Sequence, residues 1–132
     1  MEMEKLEIEN EVKGKSPSII WRFMATPEGM SHWLADEVTR QDNTLTFRWG
    51  NPWDHHEMRE ATIEIFDKNK CLRFVWNEEE GEGTFVEMRM KKSALTGDYI
   101  IEVTDFATPD DMDWLKETWY HNFKRLRRSS GL

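Results

Sequence analysis

A strictly alternating stretch followed at once by a proline-punctuated apolar stretch constrains this chain more than any other feature. In residues 5–13, Leu6, Ile8 and Val12 share a face with Asn10, while Lys5, Glu7, Glu9, Glu11 and Lys13 take the other. A period of two with one polar face is the pattern of a half-buried strand. Ser16 can then cap a helix, and Pro17 suits its first turn, where a missing N–H costs nothing. Pro27 disfavours the helical conformation at Thr26, so Thr26-Pro27-Glu28 ends that helix and starts a second short one, followed by Trp33. The chain must therefore place two short helices between its first strand and everything that follows.

Beyond residue 35 the pattern is one of strands. Asp42-Asn43 separates strands at 36–41 and 44–49, and Gly50-Asn51-Pro52 breaks the chain after the second. A four-residue loop at Asp67-Lys68-Asn69-Lys70 pairs Phe66 with Cys71, Ile65 with Leu72, Ile63 with Phe74 and Ala61 with Trp76. Glu78–Gly83 reads as an acidic loop. Strand 84–92 puts Val86, Met88 and Met90 together, and Gly97-Asp98 turns into strand 99–106, with Tyr99, Ile101 and Val103 on one face. Thr108-Pro109-Asp110-Asp111 opens a helix running to Arg128, with acids at its positive end. Met112, Leu115, Trp119, Phe123 and Leu126 form one apolar stripe on it, fit to dock on a sheet. This order predicts an α+β domain spanning residues 1–132, an antiparallel sheet with its helices segregated.

Ile20-Trp21, Thr26-Pro27-Glu28 and the lone Trp33 stand in the order of a known opening motif. On these residues the chain resembles the START/SRPBCC (Bet v 1-like) superfamily, in the branch named for activators of chaperone ATPase. The likeness continues through Phe47-Arg48-Trp49-Gly50, Ala61-Thr62-Ile63-Glu64-Ile65, Leu72-Arg73-Phe74-Val75-Trp76 and the final helix. The resemblance implies a helix-grip fold, in which a curved antiparallel sheet of about seven strands wraps around a long C-terminal helix. It also implies that the space between sheet and helix often holds an apolar small molecule such as a lipid, sterol, polyketide or hormone. It bears on fold more than on function, because one fold hosts many functions.

Composition narrows the partners. Charged residues are 33% and aromatics 12% of the chain, enough of both for a water-facing surface around a real core. A net charge of −8 argues against nucleic acid and anionic membranes, which call for a basic footprint. Lys124, Arg125, Arg127 and Arg128 do cluster, but at the end of the last helix, where cations complement the helix dipole. No apolar run approaches about 18 residues, and Met1–Lys5 lacks a signal region, so a cytoplasmic location without membrane insertion is expected. Cys71 is the only cysteine, which excludes an intrachain disulfide and suits a reducing compartment; it reads as a strand residue.

Familiar chemistry is scarce. Gly14-Lys15-Ser16 lacks the glycine a phosphate loop needs five residues earlier, where Glu9 stands, and reads as a turn and helix cap. Asp54-His55-His56-Glu57 carries metal-ligating types, but neighbours on a strand point to opposite faces, so at most two converge. No metal and no cofactor is expected. There is no GxSxG elbow. His32, His121, Tyr120 and Tyr99 are the groups able to serve an acid or base role in a cavity, and no catalytic residue is assigned. Glu60, Glu64, Glu87 and Glu102 fit the polar side of half-buried strands, and no carboxylate stands out on an apolar face.

What remains is seven Trp, seven Phe and eight Met. Trp33, Trp49, Phe74, Trp76, Met88, Met90 and Trp119 are the candidate walls of a ligand site, with Tyr120 or His121 supplying a polar group at its rim. Side chains of this size can line a cavity or fill it. The leading expectation is non-catalytic binding of a hydrophobic or amphipathic small molecule. A co-chaperone-like interaction module and a cyclase- or aromatase-type enzyme are the alternatives. An open apolar cavity favours the first, a filled core the second, and a buried polar group aimed into the cavity the third. Met30, Trp33, Leu34 and the region of Trp53 are expected to leave aromatic surface for a two-fold homodimer.

Overall fold

The alternating N-terminal residues form β1 (Glu4–Val12), which buries Leu6 and Val12 and turns Glu7, Glu9 and Glu11 to water. The computed structural model describes residues 2–14, 16–79 and 83–132; Lys15 of the Gly14-Lys15-Ser16 turn and Glu80-Gly81-Glu82 of the acidic loop lie outside them. α1 (Pro17–Ala25) and α2 (Pro27–Met30) follow, each with proline in its first turn. Ser16 stands at the N-cap of α1, but its hydroxyl meets Ser18 Oγ at 3.1 Å and leaves the helix backbone uncapped. Thr26 caps instead. Its Oγ1 accepts from the Gly29 N–H at 3.0 Å and donates to the Arg22 carbonyl at 2.6 Å, fastening α2 to the end of α1.

The chain then runs hairpin by hairpin through β2 (Glu37–Gln41), β3 (Thr44–Gly50), β4 (His56–Asp67), β5 (Cys71–Trp76), β6 (Val86–Lys92) and β7 (Tyr99–Ala107). All seven strands form one antiparallel sheet in the order β1-β7-β6-β5-β4-β3-β2. A 3-10 turn at Pro109–Asp111 leads into α3 (Met112–Ser130), which buries the whole predicted stripe together with Asn122. Gly131, at φ 77°, ends α3 by returning its N–H to the Arg127 carbonyl at 2.9 Å, a left-handed stop that suits glycine. The architecture is the α+β helix grip, a curved seven-stranded sheet around a long C-terminal helix.

Two readings of the strands are corrected. In the β4–β5 hairpin, Ile63 faces Phe74 and Ala61 faces Trp76 as expected, but Ile65 opposes Arg73, Phe66 opposes Leu72 and Asp67 opposes Cys71. A β-bulge between Ile63 and Ile65 inserts one residue, and Asn69 turns left-handed (φ 64°) within the tighter loop. Ile65 is thereby carried off the inward row and Phe66 onto it, where its ring meets Trp21 of α1 edge-on at 5.4 Å. Glu87 is buried, not a solvated face residue: Arg73 Nη2 reaches its Oε1 at 2.8 Å and Arg89 Nε its Oε2 at 2.9 Å on the outer face of the sheet. Burial alone would raise the Glu87 carboxyl, but the hydrogen bonds from Arg89 and Arg73 outweigh it and hold the group below its usual value. Burial, with the Glu87 charge beside it, pushes the Cys71 thiol up to about 11.

The core also revises the surface. Met30 and Trp33 are fully enclosed and Leu34 is buried, so this segment leaves no aromatic patch; Trp53, by contrast, is 91% exposed. Among the described residues, no helix is long and apolar enough to cross a membrane.

Candidate functional site

α3 rests on the β1–β7 side of the sheet, while α1 covers β6. The inward face of β3–β5 is left facing the flank of α3 across a cavity of about 600 Å³. The sheet wall is aromatic. Phe47 stacks with Trp49 at 5.9 Å and 11°, meets Trp76 edge-on at 5.1 Å, and lies 5.3 Å from Phe74. Alternation explains the row: Phe47 and Trp49 on β3 and Phe74 and Trp76 on β5 point inward at a period of two. On the helix side Leu115 and Trp119 complete the apolar lining, and Trp114, Thr118, His121 and Arg125 form the rim.

Polar side chains also line the cavity, and three charged ones, Asp105, Arg59 and Arg125, are held by named partners. Asp105 lies on the inward row of β7 and is buried; its Oδ2 accepts from Trp119 Nε1 at 2.9 Å and its Oδ1 from the Phe106 N–H at 2.7 Å. Arg59 on β4 places its guanidinium 3.9 Å from the Trp76 ring centroid and pairs with Glu78. Arg125 donates to the Trp33 carbonyl and to Asn122 Oδ1. Trp49 Nε1 donates to the next carbonyl, that of Leu34, at 2.9 Å.

Of the residues singled out from the sequence, Trp49, Phe74, Trp76, Trp119 and His121 line the cavity. Trp33 lies beneath it: its ring packs on Phe123 at 5.6 Å and Trp119 at 6.1 Å, and its Nε1 donates to the Phe23 carbonyl at 2.8 Å. Met88 is enclosed and Met90 half-buried on β6, the strand that α1 covers. Tyr120 points off α3, with Lys124 Nζ 5.2 Å from its ring centre. His32 is exposed beside Phe23, and Tyr99 is half-buried opposite Val12. Asp54, His55, His56 and Glu57 are exposed; among the described residues no group of three or more His, Cys, Asp or Glu is arranged to hold a metal.

Phe47, Arg59, Asp105, Asn122 and Arg125 are cavity residues that the sequence reading passed over. For Asp105 the signal was present, because Tyr99, Ile101, Val103, Asp105 and Ala107 form one inward row with an acid in it. For Arg125 it was not: a basic residue near a helix end looks the same whether it answers the dipole or the carbonyl of Trp33, 92 positions earlier in the chain.

The START-like superfamily domain matches residues 1–131 of the chain. A Bacteroides fragilis protein solved in solution by NMR is 38% identical over 98% of this chain and 92% of its own, with a TM-score of 0.64. The Aha1 dimer from Colwellia psychrerythraea is 16% identical over 92% of each chain, with a TM-score of 0.73. The AHSA1-like protein from Aeromonas hydrophila is 18% identical over 97% of this chain and 94% of its own, with a TM-score of 0.72. At these last two identities the likeness is one of fold. No curated protein matches the chain. By its motifs, its helix-grip architecture and the match over nearly its full length, the chain belongs to the START-like superfamily.

Proposed function

We propose that the protein binds a hydrophobic or amphipathic small molecule between the β3–β5 face and α3, without catalysing a reaction on it. The observation that carries this is the cavity: its volume of about 600 Å³ lies within the range of small-molecule sites, and an aromatic sheet wall faces polar and charged side chains that could orient an amphipathic molecule. The stripe of α3 is packed, but the space between its flank and the β3–β5 wall is open, which supports a ligand site over an interaction module. An enzyme needs a group free to give or take a proton. The enclosed acid here, Asp105, has both oxygens accepting hydrogen bonds from protein N–H groups, which supports a positioning role. A homodimer belongs to the same proposal, supported by Trp53 and Met58, which expose apolar surface in and just after the loop leading into β4.

The test is a thermal-shift and tryptophan-fluorescence screen with fatty acids, sterols, flavonoids and polyketide-like aromatics. A ligand at a hundredfold excess over its dissociation constant should stabilise the fold by about 2.7 kcal/mol. Leu115→Trp, which fills the cavity, should abolish the shift. If no compound moves either signal, the binding reading falls and the interaction module takes its place.

A further inference from the structure

Arg125 is held unlike the other charged groups of the cavity. Its Nη2 donates to the Trp33 carbonyl at 2.8 Å and to Asn122 Oδ1 at 2.7 Å, and its Nε to the same carbonyl at 3.2 Å. Both acceptors are neutral, so neither offsets the charge of the guanidinium. A guanidinium carries five N–H donors, and the two on Nη1 are not used in these bonds. Among the described residues no carboxylate forms an ion pair with Arg125. Arg59, the other arginine of the cavity, is occupied by Glu78 and Trp76.

The cavity's own acids do not answer this charge. Asp105 is engaged by Trp119 and Phe106. Asp111 stands 14 residues before Arg125, about 21 Å away along a helix. Glu57 lines the cavity from β4, opposite Trp49, and among the described residues forms no ion pair with Arg125. The net charge of −8 repels anions at a distance, but salt screens it beyond about 8 Å, leaving a bound molecule to the groups around it. Arg125 and the aromatic wall share a mount: both line the cavity, and the carbonyls that fix Arg125 and Trp49 belong to the consecutive residues Trp33 and Leu34. A guanidinium already fixed by two acceptors needs little further ordering to take an anion.

We infer that the natural ligand is a monoanion, with an aromatic body against Trp49 and Trp76 and a carboxylate on Arg125 Nη1. This rests on the small-molecule reading above. Pyrenebutyrate, pyrenebutanol and pyrenebutylamine share one fluorescent body and differ in charge, so titrating the protein with each isolates the head group. The wild type should bind the acid at least about tenfold more tightly than the alcohol, as a charge-assisted pair in a partly enclosed site would give, and the amine most weakly. Arg125→Gln should bring the acid to within about threefold of the alcohol, whereas Arg125→Lys, which keeps the charge, should retain a preference for the acid. Circular dichroism and the melting midpoint establish that each variant is folded, and the wild-type ranking needs no variant at all. Equal affinity for acid and alcohol, a preference for the amine, or an acid preference that survives Arg125→Gln overturns the anion while leaving the small-molecule reading intact. Failure of all three probes to bind overturns this ligand, and the screen above then decides whether the small-molecule reading falls with it.

Discussion

Trp119 joins α3 to the sheet by two separable means: its ring packs on Trp33 and Phe123, and its Nε1 donates to the buried Asp105. Trp119→Phe keeps most of the packing and strips a donor from an enclosed carboxylate, which should cost about 1.5–3 kcal/mol. Trp119→Ala also removes the volume and should cost about 3–5 kcal/mol. Urea denaturation separates the two, and unchanged midpoints for both would mean that α3 is not docked through this residue. Glu87 gives a pH signature. Its native carboxyl titrates below the ordinary value of 4.5, so its contribution is complete above that pH and is lost as pH falls from there through the native value. Glu87→Gln should flatten the acid limb of the stability profile; a limb as steep as the wild type's would place the acid sensitivity elsewhere.

At the scale of elements, the sequence order, the hairpins and the α3 stripe were legible because each rests on a local period or on proline. The β4–β5 register near its turn was not, because a bulge changes which face Ile65 and Phe66 take while leaving the apolar composition alone. Nor was the capping of α1, where Ser16 has the right chemistry but its hydroxyl turns to Ser18. In the site, the aromatic rows could be read from alternation, whereas α1 covers β6, where Met88 is core and Met90 is half-buried against it. The α1–α2 corner carries its own test. A Cβ on Gly29 would fall on the Arg22 carbonyl oxygen and 2.6 Å from the Phe23 Cα, both backbone atoms that cannot swing away. Gly29→Ala should therefore destabilise the fold by about 1–3 kcal/mol or more. A thermal midpoint equal to the wild type's would show that the two helices cross less closely than this.

For the whole molecule, sedimentation at tens of micromolar should show a species near twice 15.9 kDa, and Trp53→Ser with Met58→Ser should return it to one chain. A wild type that sediments as a single chain would end the dimer proposal. If Asp54, His55, His56 and Glu57 hold no metal, excess chelator should leave the melting temperature unchanged, because unfolding would then release none; a drop reversed by zinc would overturn that. The consecutive carbonyls of Trp33 and Leu34 have a consequence of another kind. Every amino acid brings a carbonyl, so Arg125 and Trp49 are mounted on a part of the chain that no substitution at 33 or 34 can chemically delete. The side chains at those two positions answer to packing and, at Trp33, to the Nε1 bond to the Phe23 carbonyl, while the mount itself is main chain and indifferent to their exchange. A lineage built on this scaffold is free to change what its pocket holds without first having to rebuild how the pocket is held.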